Sequence, residues 1–228
     1  MKNLLLVALL AFAAGACDKP AETATAEEAK PAEAAAEPAA AAKADEAPAK
    51  EEAPTATAQV GQPAPDFELK DETGKTHKLS DYKGKIVVLE WTNPDCPYVV
   101  RHYEKDTMQT TFKALGEDKI VWLAVDSSNF VKPEDSAKWK TAEGFTYPVL
   151  QDASGAVGKI YQAKTTPHMF VVDAEGTLRY EGAIDNDPKG KEEKPENYVE
   201  KAVTSLLEGK ELETSQTKPY GCSVKYGS

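Results

Sequence analysis

The chain has 228 residues, of which 27 are basic and 38 acidic, for a formal net charge of −11. That length supplies one or two domains, and the acidic balance, with no basic stripe in any segment, excludes nucleic acid as a partner. Its three cysteines, Cys17, Cys96 and Cys222, fall in segments of different character, and each needs its own explanation.

The opening "MKNLLLVALLAFAAGAC" has a lysine, an apolar run through Phe12 and small residues ending at Cys17, which is the layout of an export signal. The apolar run is too short to span a bilayer as a finished helix. Its end resembles the lipobox of bacterial lipoproteins, with Ala14 where leucine is usual. That resemblance implies cleavage before Cys17, a lipid on that cysteine and attachment to a membrane of the cell envelope. Residues 18–58 contain ten acids, four lysines and no Val, Ile, Leu or aromatic residue. Such a composition cannot offset the entropy of ordering and predicts an extended, self-repelling linker. Residues 59–228 then form one domain of ordinary size, with residues 210–228 as a tail after its last helix. Export places Cys96 and Cys222 where disulfides persist, and a plain structural bond between them is the simplest expectation.

Along the domain, "DFELKDETGKTHKLSDYKGK" predicts an N-terminal hairpin. "IVVLEW" (86–91) is a short apolar run rich in β-branched residues and reads as a buried strand. Pro97 suits the first turn of a helix, which "YVVRHYEKDTMQTTFKAL" continues through Leu115. "KIVWLAVD" (119–126) predicts a second buried strand and "PEDSAKWKTAEG" (133–144) a helix closed by glycine. "YPVLQD" is a short strand and "GAVGKIYQA" a short helix. "HMFVVDAEGTLRYEGAI" reads as a hairpin turning at Glu175 and Gly176. "PENYVEKAVTSLLEG" puts Tyr198, Val199, Ala202, Val203, Leu206 and Leu207 on one face of a closing helix. Alternating strands and helices followed by a hairpin give an α/β sandwich, a mixed central sheet flanked by helices. The order is that of the thioredoxin fold, extended by the N-terminal hairpin.

Cys96 falls at a helix N-terminus, where free backbone NH groups and the helix dipole favour a thiolate, the nucleophile for disulfides and peroxides alike. Glu90 lies inside an apolar strand six residues earlier. It is read either as a buried carboxyl of raised pKa that relays protons for Cys96 or as a side chain reaching the sheet edge and water. Asn93 is either a donor near the thiolate or a turn former in "TNPD". Pro167, before a strand, can be cis and turn a backbone edge toward the cysteine, with Thr166 preceding it and His168 in the loop that follows. Arg101, His102 and His77 are expected at the surface.

The combination of "NPDCPYV", "TTPH", "VVDAEGTLRYEGAIDN" and "GCSVKY" resembles the peroxiredoxin-like redoxins of the AhpC/TSA group in the thioredoxin superfamily. The resemblance spans residues 59–226 and implies a redox-active Cys96 with Pro167 as the matching proline. Two positions depart from peroxiredoxins: Asn93 replaces a Thr or Ser, and Pro167 holds the place of a peroxide-orienting arginine. These departures move the expectation from peroxide activation toward disulfide exchange. Val99 stands where a second cysteine would complete a thioredoxin motif, and Cys222 is the candidate resolving cysteine in an irregular tail. The expected partners are a disulfide or peroxide substrate and a thiol donor, protein or small, with no cofactor or metal. The alternative is a Cu(I)-binding or interaction module using Cys96, His168, Met169 and Cys222, since soft sulfur ligands select that ion.

Overall fold

The computed structural model describes residues 57–227. The expected export signal, Cys17 and the expected linker as far as residue 56 lie outside the described residues. Within the described residues Ala58, expected to end the linker, is instead buried and donates its amide to the Ile160 carbonyl at 2.9 Å. Among the described residues, no helix is long and apolar enough to cross a membrane.

The N-terminal hairpin forms as expected from β1 (Glu68–Asp71) and β2 (Thr76–Lys78), followed by a 3-10 turn at Leu79–Tyr82. Next come β3 (Ile86–Trp91), α1 (Pro97–Glu104), α2 (Thr107–Leu115), β4 (Ile120–Asp126), α3 (Pro133–Glu143), β5 (Val149–Gln151) and α4 (Ala156–Ile160). A two-residue strand β6 (Thr165–Thr166), the hairpin β7 (His168–Val172) and β8 (Leu178–Gly182), α5 (Tyr198–Leu207) and a short β9 (Cys222–Ser223) complete the chain. Seven strands form one mixed sheet in the order β2-β1-β5-β4-β3-β7-β8, while β6 and β9 pair separately. β3 pairs parallel with β4 and antiparallel with β7, so the strand leading to Cys96 is central and buried along its whole length.

Strand alternation divides the core between two faces. Ile86 and Val88 of β3, with Trp122 and Ala124 of β4, pack under α1, α2 and α5 beside Cys96, Tyr103, Met108, Phe112, Val199 and Val203. Val87, Leu89 and Trp91, with Leu123 and Val125, pack on the other face with Ala58, Phe67, Val157, Tyr161 and Phe170. Glu90 follows the first set and therefore faces the side that holds Cys96.

The single helix expected after Pro97 is two. Asp106 adopts a left-handed conformation (φ 54°) between α1 and α2. The apolar spacing explains the break: Val99 and Tyr103 are four apart, but Met108 follows after five, so a continuous helix would turn it off the buried face. The closing helix buries Val199, Ala202 and Val203 as expected, yet leaves Leu207 44% exposed at its end. The tail is also more ordered than its composition suggests. Gly221, at φ 145°, brings the chain so close to the Thr166 carbonyl that a Cβ there would stand 2.0 Å from its oxygen. Cys222 then pairs in register with Thr166 and Ser223 with Thr165.

Candidate active site

Three segments converge on the sulfur of Cys96. The first is the turn between β3 and α1. Cys96 is the N-cap of α1, with extended backbone (φ −83°, ψ 118°) and Pro97 at the first helical position. The turn is fixed by Asn93, whose side-chain oxygen accepts the Asp95 amide at 2.7 Å and whose Nδ2 donates to Ser128 Oγ at 2.6 Å. Its backbone carbonyl accepts the Cys96 amide at 3.0 Å. Asn93 is therefore the turn former; its amide is directed at Ser128 and not at the thiol.

The second segment is the loop between β6 and β7. The Thr166–Pro167 peptide is cis, and the Cys96 thiol donates to the Thr166 carbonyl at 2.9 Å. The third is β9, which lies along Thr166 and places Cys222 within hydrogen-bonding reach of Cys96. Both thiols are free. Burial works against a Cys96 thiolate, but hydrogen bonds from the Thr166 side chain, from Cys222 and from the Val99 amide outweigh it, and the pKa lies below the ordinary thiol value. Cys222 moves the opposite way, up to about 11, through burial and then through its hydrogen bond to Cys96 and the charge on that neighbour.

Glu90, on the face of β3 that packs with Cys96, is completely buried. This excludes the edge-and-water alternative. Burial pushes its carboxyl up to about 7, against the opposing pull of Trp122 Nε1, which donates at 2.9 Å, and the Tyr103 hydroxyl at 3.1 Å. Tyr103 in turn meets the Tyr147 hydroxyl at 2.8 Å. The network is closed over by aromatic rings: Tyr103 packs on Trp139 and Phe145, and Tyr147 on Phe112 and Trp122.

Several expectations are corrected. His168 does not face Cys96: its ring lies on Phe170, 4.4 Å between centroids, on the other side of the sheet. Its Nδ1 accepts the Lys164 amide at 3.2 Å, and burial drives its pKa down to about 3, so it is a neutral, internally bonded imidazole. The Cu(I) set is thus not assembled, and among the described residues no three His, Cys, Asp or Glu side chains converge on a metal position. His77 is buried and bonded to Asp71 Oδ2 at 2.8 Å and to the Tyr82 hydroxyl. His102 is buried too, with Nε2 3.0 Å from the Tyr220 hydroxyl. Arg101 donates to the Asp187 and Pro188 carbonyls and lies over the rings of Tyr98 and Tyr220. The second arginine, Arg179, is held by Asp173 and Glu211.

What the sequence reading missed is the anchorage around Tyr220. Its hydroxyl donates to Asp185 Oδ1, which also accepts the Asp187 amide at 2.9 Å, while Asp185 Oδ2 lies 4.0 Å from His102 Nδ1. An aromatic and a glycine directly before a cysteine, in an otherwise charged tail, were the available signal.

A thioredoxin-like fold that holds a lowered-pKa cysteine at a helix N-terminus against a cis-proline loop defines a thiol-dependent oxidoreductase. Residues 60–181 match the model of the AhpC/TSA family, and the chain belongs to that family. Among its relatives is thiol-disulfide oxidoreductase ResA of Geobacillus kaustophilus strain HTA426, 35% identical over 127 residues, or 55% of this chain and 69% of that one. A protein of Mycobacterium tuberculosis strain H37Rv, named provisionally as a peroxiredoxin, is 27% identical over 139 residues, covering 59% of this chain and 83% of its own. Among solved structures, that of a hypothetical protein of Sinorhizobium meliloti 1021 has a TM-score of 0.66 at 27% identity and covers 75% of this chain and 97% of that one. Cys96 and Pro167 fall inside the family match; Cys222 and its strand lie beyond it.

Proposed function

We propose that the protein is a two-cysteine thiol oxidoreductase in which Cys96 attacks a disulfide or peroxide and Cys222 resolves the product. The observation that carries this reading is the shared position of the two thiols against Thr166, where Cys96 donates to its carbonyl and Cys222 pairs with it in register, with opposed pKa shifts. With a disulfide, the Cys96 thiolate bonds to one sulfur and expels the other as a thiolate. With a peroxide, it takes one oxygen as a sulfenic acid while the O–O bond breaks and the leaving alkoxide or hydroxide gains a proton. Cys222 then attacks the Cys96 sulfur, expelling the second thiolate or water, and the two cysteines are left as a disulfide, oxidised by two electrons. A thiol donor, protein or small, restores them.

The electrostatics time the second step. While Cys96 is a thiolate, its charge and hydrogen bond hold Cys222 protonated. Once Cys96 becomes a sulfenic acid or mixed disulfide that charge is gone, and the Cys222 thiolate becomes accessible when it is needed. Glu90 serves as the buried proton store, since its carboxyl changes state near neutral pH and it shares the apolar face that holds Cys96. Pro97 and Asn93 set the helix start and Thr166 supplies the acceptor carbonyl. The signal sequence and Cys17 add export and lipid attachment on the envelope side of a membrane.

The test is peptide mapping of the fully reduced protein after one equivalent of hydrogen peroxide or of an oxidised dithiol. A Cys96–Cys222 disulfide reversed by a mild dithiol supports the cycle; a Cys96 that stays reduced with both oxidants refutes it.

A further inference from the structure

Cys96 is only 3% exposed, and what covers it is the chain itself. The covering segment is fastened along its whole course. Ser215 and Thr217 exchange backbone hydrogen bonds with Glu181, each at 3.1 Å, and Thr217 Oγ1 accepts the Ala183 amide at 2.9 Å. Tyr220 is tied to Asp185 and His102. β9 then takes the backbone edge of β6, and beyond it Val224 donates to the Lys164 carbonyl at 3.2 Å and Tyr226 to the Ala163 carbonyl at 2.8 Å. Gly221 makes the approach possible, since any side chain there would collide with the Thr166 carbonyl, the same oxygen that accepts the Cys96 thiol.

The edge of Thr165–Thr166 is the backbone that an extended polypeptide would pair with to bring a disulfide against Cys96, because an unpaired strand edge is a template for an added strand. Here it is already filled. A small oxidant needs no such pairing and requires only room for a few atoms beside the sulfur. We infer that residues 215–226 are a built-in occupant of the polypeptide-docking edge, so that the reduced protein reacts at Cys96 with low-molecular-weight oxidants and excludes polypeptide disulfides while the segment is seated. Cys222, partly exposed on the outer strand, is the sulfur at which a larger thiol donor meets the oxidised pair. This inference rests on the proposed nucleophilic role of Cys96 and adds its substrate class.

The experiment compares Cys222→Ser, in which the segment stays in place, with two opened forms that also lack Cys222. One ends after Lys218; the other is Gly221→Ala combined with Cys222→Ser, which forces the strand off Thr166 without shortening the chain. Each full-length or shortened protein is reduced and mixed with bis(2-hydroxyethyl) disulfide or with insulin, and mixed-disulfide formation at Cys96 is followed by mass mapping. Taking the ratio of the two rates cancels any change in Cys96 thiolate content. Opening the segment is expected to raise the insulin-to-small-disulfide ratio at least about tenfold, the factor that about 1.4 kcal/mol of lost strand pairing supplies. An unchanged ratio in an opened form that keeps its far-ultraviolet circular dichroism overturns the inference. If the shortened chain does not fold, the Gly221→Ala form decides alone. Failure of the Cys222→Ser protein to react with either disulfide or with hydrogen peroxide instead refutes the nucleophilic role of Cys96.

Discussion

Replacing Glu90 by Gln isolates the most unusual group in the core. The carboxyl titrates at about 7 in the folded chain against an ordinary value of 4.5, because burial outweighs the bonds from Trp122 and Tyr103. The folded state therefore holds a proton that the unfolded chain releases, and between these two values stability falls as pH rises. At 1.36 kcal/mol per unit, the full effect of the group is about 3 kcal/mol, present as stability below the unfolded value and lost by the time pH has passed the folded one. Gln keeps the shape, accepts from Trp122 and never ionises. Urea denaturation of the reduced proteins from about pH 5.5 to about pH 8.5 spans about 2 kcal/mol of that loss, so the wild type should weaken by this much relative to Glu90→Gln. Other titrating groups, including Asp126 with its own raised pKa, cancel in the difference. Parallel stability curves for the two proteins would refute both the titration and the proton-store role.

Cys96→Ala removes the neighbour that helps to hold up the Cys222 pKa, so thiolate absorbance at Cys222 should appear well below pH 11; an unmoved midpoint would mean that burial alone sets it. Asp71 lies at about 2 because bonds from Thr73, His77 and the Lys75 amide outweigh burial, which acts to raise it. A depressed carboxylate stabilises above its unfolded pKa and loses that contribution as pH falls through the folded one. Asp71→Asn should cost about 1–3 kcal/mol near neutral pH and less near pH 2 in denaturation experiments. Tyr220→Phe leaves Asp185 and His102 without their shared hydroxyl. It should destabilise by about 1–3 kcal/mol and speed iodoacetamide labelling of Cys222, and unchanged labelling would argue against Tyr220 as the anchor of β9.

The fold was legible wherever local chemistry and global packing agree. β3 announces itself by β-branched apolar residues, Pro97 by its fixed φ at a helix start, and the β7–β8 hairpin by the glycine at its turn, which takes φ 90°. Cys96 and Pro167 could be placed for the same reason, because a strand-to-helix turn and a proline before a strand are local signals. What failed depended on distant partners. His102 is polar and on a helix with charged neighbours, and nothing near it in sequence says that Tyr220, more than a hundred residues on, will cover it. His168 is expected near Cys96 because it directly follows Pro167, but strict alternation along β7 turns it to Phe170 instead. The tail looked irregular because a two-residue strand has no period to read; its partner edge exists only once the sheet has formed.

The closeness of Cys96 and Cys222 has a consequence for the unfolded chain as well as for the folded one. A bond between them would close a loop of on the order of a hundred residues and remove about 5 kcal/mol of chain freedom from the denatured ensemble. The reduced domain already brings the two sulfurs together without that help. Each turn of the proposed cycle would thus alternate between a stapled molecule and an open one with the same core, and the melting temperature would report the oxidation state directly.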